Sequence, residues 1–224
     1  MNIRKRNILI NILVIILYFL WPYFLGSITN LFKFSQEVNL YISLLTNFIF
    51  LAVVIYIYRD KLGNYCNNYK KNFKVNFLNS LKIFLIGLGL YILFNTIINS
   101  LKVPILNTQT SLIEMIKTIP VLFILNTLFY YPIIEELVFK MSLKEIIKNK
   151  WAFVIVTGLL NAFFQIVFSI GNTTDLLYLL PYTIFFASLS YVYYNTNNII
   201  YPVIIRIVYN IIPCIIYMVD FFNI

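Results

Sequence analysis

The sequence predicts an all-α fold: a polytopic transmembrane helix bundle of about seven helices. Three observations carry this. The chain of 224 residues is 61% hydrophobic and 11% charged, with mean hydropathy +0.86, which is too apolar to build a water-soluble surface at this length. Seven apolar runs approach or reach the length of a bilayer span, about 20 residues per helix. The basic residues are distributed unevenly over the two sides that those runs define.

The first run, Ile8–Ile28, follows Arg4, Lys5 and Arg6. Its length, its Trp21-Pro22 pair and the lack of a small-residue cleavage site mark it as a retained signal anchor. Leu40–Tyr58 follows, then Ile83–Ile98, the weakest run because Gly87, Gly89, Asn95 and Asn99 interrupt it. Ile119–Phe139 carries Glu135-Glu136 near its end, and Trp151–Ile170 carries Asn161 and Gln165. Leu176–Tyr194 and Ile199–Val219 complete the set, and the polar tetrapeptide 195–198 between them reads as a simple connector. Residues 1–118 thus form an amino-terminal group of about three helices with a basic inner loop at 59–82, and residues 119–224 a core of about four.

With the amino terminus inside, thirteen Lys and Arg fall on the inner side and only Lys33, Lys102 and Lys117 on the outer. This positive-inside bias predicts a multi-pass protein of the cell membrane, with a cytoplasmic amino terminus and an outer carboxyl terminus. The net charge of +9 is explained by topology and by attraction of the 59–82 loop to anionic lipid headgroups, so no nucleic-acid partner is expected. Cys66 falls inside and Cys214 within the last run, so no disulfide framework is implied.

Polar side chains at membrane depth are expensive and mark candidate sites. Glu136 and Lys140 are four apart, on one helical face and in the favourable order for an ion pair. Glu135 points about 100° away and addresses another neighbour. A helix end at the headgroups, with Lys140 snorkelling, accounts for a single glutamate. Two adjacent carboxylates at low dielectric demand a nearby cation. Arg206 meets that demand: it sits seven residues into the last run, with Asn210 and Cys214 at successive four-residue steps. The expected arrangement is a neutral cluster in which Arg206 pairs with one glutamate and Lys140 with the other. Asn161 and Gln165, also four apart, read as interhelical packing groups. The chain has no histidine, which removes the commonest metal ligand and the commonest general base.

These placements resemble the CPBP family, the CAAX-protease and bacteriocin-processing intramembrane metalloproteases, also called Abi-domain proteins. The family carries Glu-Glu-x-x-x-Arg, usually with an aromatic before the basic residue. Here the stretch is Glu135-Glu136-Leu137-Val138-Phe139-Lys140, with Lys replacing Arg. The family's second motif, Phe-x-x-x-His, corresponds to Asn161 and Gln165. Its third, His-x-x-x-Asn after a polar turn and a proline, corresponds to Arg206 and Asn210 after Asn198 and Pro202. The resemblance covers about Val121–Ile212.

The resemblance implies a membrane cavity where glutamates and histidines hold a metal that activates water for peptide hydrolysis. Its family-equivalent catalytic positions here are Glu135, Glu136, Lys140, Gln165, Arg206 and Asn210. A hydrolytic zinc needs about three His, Asp, Glu or Cys ligands and an open position. An amide and a guanidinium stand where the histidines belong, and a guanidinium cannot ligate. Glu135, Glu136, Asn210 and Cys214 are weak metal candidates, and no cofactor is expected unless the protein is an active enzyme, in which case zinc is. The expectation is therefore a pseudoprotease that binds a membrane protein or peptide in the former substrate cavity, within roles such as bacteriocin self-immunity or envelope-protein regulation. The alternatives are an active intramembrane metallo-endopeptidase with unusual ligands and, in a third class, a small transporter or channel.

Overall fold

A computed structural model describes residues 3–32, 35–69, 72–103 and 119–222. Among them run seven helical segments and no strand. They are α1 (Ile3–Phe32), α2 (Gln36–Asn68), α3 (Phe73–Ser100), α4 (Pro120–Ile146), α5 (Lys150–Val167), α6 (Leu179–Thr196) and α7 (Ile200–Phe222). A 3₁₀ turn, Thr173–Tyr178, leads into α6. Six of these segments are long and apolar enough to cross a membrane, and the shorter apolar stretch Ile200–Ile216 lies within α7. The protein is a polytopic all-α membrane bundle. Lys33, Lys70, Lys71 and Lys117, which enter the charge count, lie outside the described residues.

Two expectations need correction. The third helix is continuous over 28 residues. Its glycine and asparagines do not break it, because they are used: a Cβ on Gly87 would lie 2.4 Å from the Ser188 Cβ, so the missing side chain lets α3 close on α6 as small residues do in membrane bundles. Asn95 donates to the Tyr91 carbonyl at 3.1 Å, and Asn99 accepts from the Tyr178 hydroxyl at 3.4 Å. Second, the basic stretch 59–82 is largely helical, since α2 runs on to Asn68 and α3 begins at Phe73. Both helices outrun the apolar segments, because backbone hydrogen bonding continues past the hydrocarbon edge where no Pro interrupts it, and α2 runs through Gly63.

The core has two main parts. One joins Val14 and Tyr18 of α1, Phe50 and Val54 of α2, Leu137, Val138 and Phe139 of α4, and Phe153 and Phe164 of α5. The other joins Phe84 of α3, Ala162 of α5, Phe185 and Leu189 of α6 and Tyr201 and Ile205 of α7. Helices α5 and α6 approach so closely that a Cβ on Gly158 would meet Ala187 Cβ, Ala187 N and the Thr183 carbonyl, each at 2.9 Å. The turn at 195–198 is more than a connector. Asn198 donates to the Tyr65 carbonyl of α2 at 3.0 Å and accepts from the Ile200 amide at 3.0 Å, fixing the start of α7. Asn197 takes a left-handed conformation (φ 49°), which asparagine tolerates better than most residues.

Candidate functional site: a buried charge cluster between α4 and α7

Helix α4 is not a regular α-helix. Two π-helical turns, Asn126–Tyr130 and Glu136–Met141, interrupt it on either side of a short α-helical segment, Tyr131–Glu135. Each wide turn frees a backbone group from the regular ladder, a pattern frequent at functional sites. Pro132 explains part of this, because it has no N–H to give to the turn before it. The Thr127 carbonyl in that turn instead accepts the side-chain amide of Asn210 from α7 at 2.8 Å. The sequence offers Pro132 as a signal for such a distortion, but not its form.

The second wide turn and the residue just before it carry the charges. Glu135 and Glu136 are buried, and Lys140 has no exposure at all. Lys140 Nζ donates to Glu136 Oε1 at 2.6 Å. From α7, Arg206 Nη2 donates to Glu135 Oε2, and Arg206 Nη1 donates to Glu136 Oε1 at 3.4 Å. Two carboxylates and two cations thus form one neutral, continuously bonded group, and the guanidinium plane also lies 4.9 Å from the Phe186 ring centroid. The structure brings together the four charged residues singled out from sequence, in the pairing their spacing suggested.

The other singled-out residues are placed differently. Asn210 serves the backbone of α4 through its amide nitrogen. Cys214 is a free, buried thiol two helical turns beyond Arg206, about 12 Å along the α7 axis. Gln165 is only half-buried. Asn161 is fully buried, and neither its amide oxygen nor its amide nitrogen has a hydrogen-bond partner; it does not act as the interhelical packing bond expected of it. Thr157, one turn earlier on α5, is likewise buried with an unpartnered hydroxyl. So are Glu136 Oε2 and the Tyr18 hydroxyl. Thr157 and Asn161 lie on the α5 arc between Phe153 and Val154, both packed in the cluster that contains Leu137–Phe139. Thr157, Tyr18 and Asn126 are the polar residues that sequence reasoning passed over, and nothing but their burial distinguishes them.

A cavity of about 600 Å³ opens beside the cluster, among α1, α2, α4 and α5. Its walls include Tyr18, Trp21, Asn47, Tyr130, Tyr131 and Phe164. Tyr18 stacks on Phe164 with centroids 4.4 Å apart and meets Phe139 edge-on at 5.6 Å. The Trp21 indole N–H donates to Asn47 Oδ1 at 2.9 Å. Glu135 follows Tyr131 of the cavity wall by four residues, which puts its backbone one turn, about 6 Å, further along α4.

The fold and this site define a class: a multi-pass helical membrane protein with a carboxylate–cation cluster buried beside an aromatic-lined cavity. Residues 117–212 match the family model described as type II CAAX prenyl endopeptidase Rce1-like. That segment is similar to the Rce1-like family, in agreement with the CAAX-protease resemblance of its three motifs, and the match spans all the charged residues of the cluster. No curated protein matches the chain, and no solved structure matches it.

Proposed function

We propose that this protein is a catalytically impaired member of the CAAX-protease group, a pseudoprotease that uses the aromatic-lined cavity to bind a membrane-protein or peptide partner. The observation that carries the reading is the Arg206 guanidinium bonded to both carboxylates, with the Lys140 ammonium on one of them. Metallopeptidases need a cation among carboxylates to polarise a carbonyl and activate water. Here two protein cations already neutralise the acids.

The donor set does not fit a hydrolytic zinc. Both glutamates are engaged by nitrogen cations, Asn210 directs its amide nitrogen at Thr127, and Cys214 lies two turns away. Among the described residues no group of three or more His, Cys, Asp or Glu could hold a metal ion. A cation brought to Glu136 Oε2 would meet Arg206 and Lys140 at close range, where like charges repel strongly. No step of hydrolysis is therefore assigned to a metal.

The polar groups of the cavity wall favour a binding role. Leaving a buried donor or acceptor unsatisfied costs about 1–3 kcal/mol, and the unpartnered Tyr18 hydroxyl belongs to a side chain that lines the cavity. A hydroxyl there suits the amide N–H or C=O of a bound peptide segment, as does the Asn47 side chain on the same wall. The protein sits in the cell membrane with its amino terminus in the cytoplasm and its carboxyl terminus outside, on the distribution of Lys and Arg. Bacteriocin self-immunity and regulation of an envelope protein are the roles this reading favours.

The family match favours a second reading, an active endopeptidase with unusual ligands. Metal analysis of the purified protein, with a cleavage assay on prenylated and unmodified peptides, separates the two. Substoichiometric zinc and cobalt with no cleavage is the expected result. Stoichiometric metal, or cleavage abolished by Glu135→Ala, overturns the pseudoprotease.

A further inference from the structure

The turn between α4 and α5 gathers cations that no acid balances. Lys144, Lys148 and Lys150 fall within seven residues, in a chain with only eight Asp and Glu. The acids at this end of the bundle are engaged elsewhere: Glu145 bonds Lys61 across to α2 at 2.8 Å, and Asp60 lies 3.6 Å from Arg59. Among the described residues no ion pair joins Lys144, Lys148 or Lys150 to a carboxylate. Side chains hold two of these lysines in fixed positions. Lys144 Nζ donates to Asn197 Oδ1 at 2.8 Å and lies 4.6 and 4.8 Å from the ring centroids of Tyr193 and Tyr194. Lys150 Nζ lies 4.1 Å from the Tyr191 centroid and 5.8 Å from that of Tyr194.

Both ammonium groups therefore lie against the Tyr194 ring. Aromatic faces compensate a cation only partly, so this pair still attracts an anion. Depth is fixed by Trp151, beside Lys150 and 60% exposed, since tryptophan concentrates at the headgroup level. Above it on the same α5 face, at four-residue steps, stand Ile155 and Leu159, also exposed. Charge at the headgroup level with an apolar strip running toward the hydrocarbon core matches the two ends of one molecule.

We propose that the α4–α5 turn is a binding site for an anionic phospholipid, its phosphate held between Lys144 and Lys150 and its chains laid along Trp151, Ile155 and Leu159. The site uses lysines other than those of the basic stretch at 59–82, which abuts it through the Lys61–Glu145 pair. It also reaches the charge cluster, because Lys144 follows Lys140 by one turn of α4. A bound lipid ties the end of the distorted helix to α5 and to the 195–198 turn, and so restrains the segment that carries Glu136.

The test uses the purified full-length protein in neutral detergent. Phosphatidylglycerol, phosphatidylcholine and inorganic phosphate are titrated while bound lipid is counted by native mass spectrometry and the thermal midpoint is followed. Phosphatidylglycerol is expected to bind and stabilise, phosphatidylcholine and inorganic phosphate to do so at least tenfold more weakly. Lys144→Gln with Lys150→Gln should weaken phosphatidylglycerol roughly 30-fold, from the attraction typical of each lysine near an anionic surface. Lys144→Arg with Lys150→Arg should keep most of the binding, which provides a reading if the glutamine variant fails to fold. Equal binding of the two lipids, undiminished binding by the glutamine variant, or loss of binding in the arginine variant overturns the proposal. Stabilisation by inorganic phosphate equal to that by phosphatidylglycerol overturns the lipid in favour of a free anion.

Discussion

Replacing Arg206 by methionine removes the one side chain that touches both carboxylates of the cluster. Glu135 then has no cation, and Glu136 keeps only Lys140. The buried group goes from neutral to one net negative charge, with Glu135 only 2% exposed. Breaking a buried pair by deleting one partner costs about 3–5 kcal/mol, most of it the uncompensated charge left behind. Arg206→Met alone should therefore destabilise by about that amount. Adding Glu135→Gln restores neutrality around the surviving Lys140–Glu136 pair and should recover about 2–3 kcal/mol, a coupling within the range for residues of one network. Reversible unfolding in mixed micelles, measured for wild type, both single variants and the double variant, gives the cycle directly. An Arg206→Met cost below about 1 kcal/mol, or single-variant costs that add within about 0.5 kcal/mol, refutes the view of the cluster as one charge-balanced unit. A metal acting as the true counter-charge would instead appear as stoichiometric metal gained by Arg206→Met.

Two further predictions concern the frame that holds the cluster. Gly158→Ala and Gly87→Ala each force a methyl group against α6, at 2.9 Å from backbone atoms of Ala187 and Thr183 in the first case and 2.4 Å from Ser188 in the second. Each should cost about 1–3 kcal/mol, whereas Gly89→Ala, with nothing near its Cβ, should be neutral or stabilise by up to about 1 kcal/mol; thermal unfolding of the three variants in detergent checks the order. Asn210→Ala removes the bond to the Thr127 carbonyl and should cost about 0.6–1.7 kcal/mol, the span measured for interhelical bonds in a membrane protein. Hydrogen exchange should rise in the 126–130 turn and not in α5, and faster exchange throughout would mean that Asn210 supports the whole bundle.

The helical membrane class was legible in the sequence because hydrocarbon leaves no other solution for long apolar runs: their backbone groups must bond within the segment. Six of the seven runs coincide with helices of spanning length, and the seventh with α7. The charged cluster was legible for a related reason. Two glutamates and one arginine at membrane depth require each other, and so few ionisable residues lie there that the partners of Glu135 and Glu136 could be named in advance. The roles of single polar residues were not legible in the same way. Asn161 and Gln165 share a helical face in sequence, yet one is fully buried and the other half-exposed. Asn95 and Asn99 look like interruptions, yet they bond within and across helices. An amide carries no charge that dictates its partner, so its neighbour is set by which helix happens to face it.

By itself, then, the sequence determined the all-α membrane class, the approximate spans and the four charges that had to meet, since the cost of moving polar backbone and charge into lipid acts on each segment before any tertiary contact forms. Only the tertiary structure decided that α4 widens into two π-helical turns, that Arg206 reaches both carboxylates at once, and that an aromatic-lined cavity lies one turn away. Those features depend on how α1, α5 and α7 close around α4. Packing between helices is a property of their joined surfaces, and no single segment encodes it.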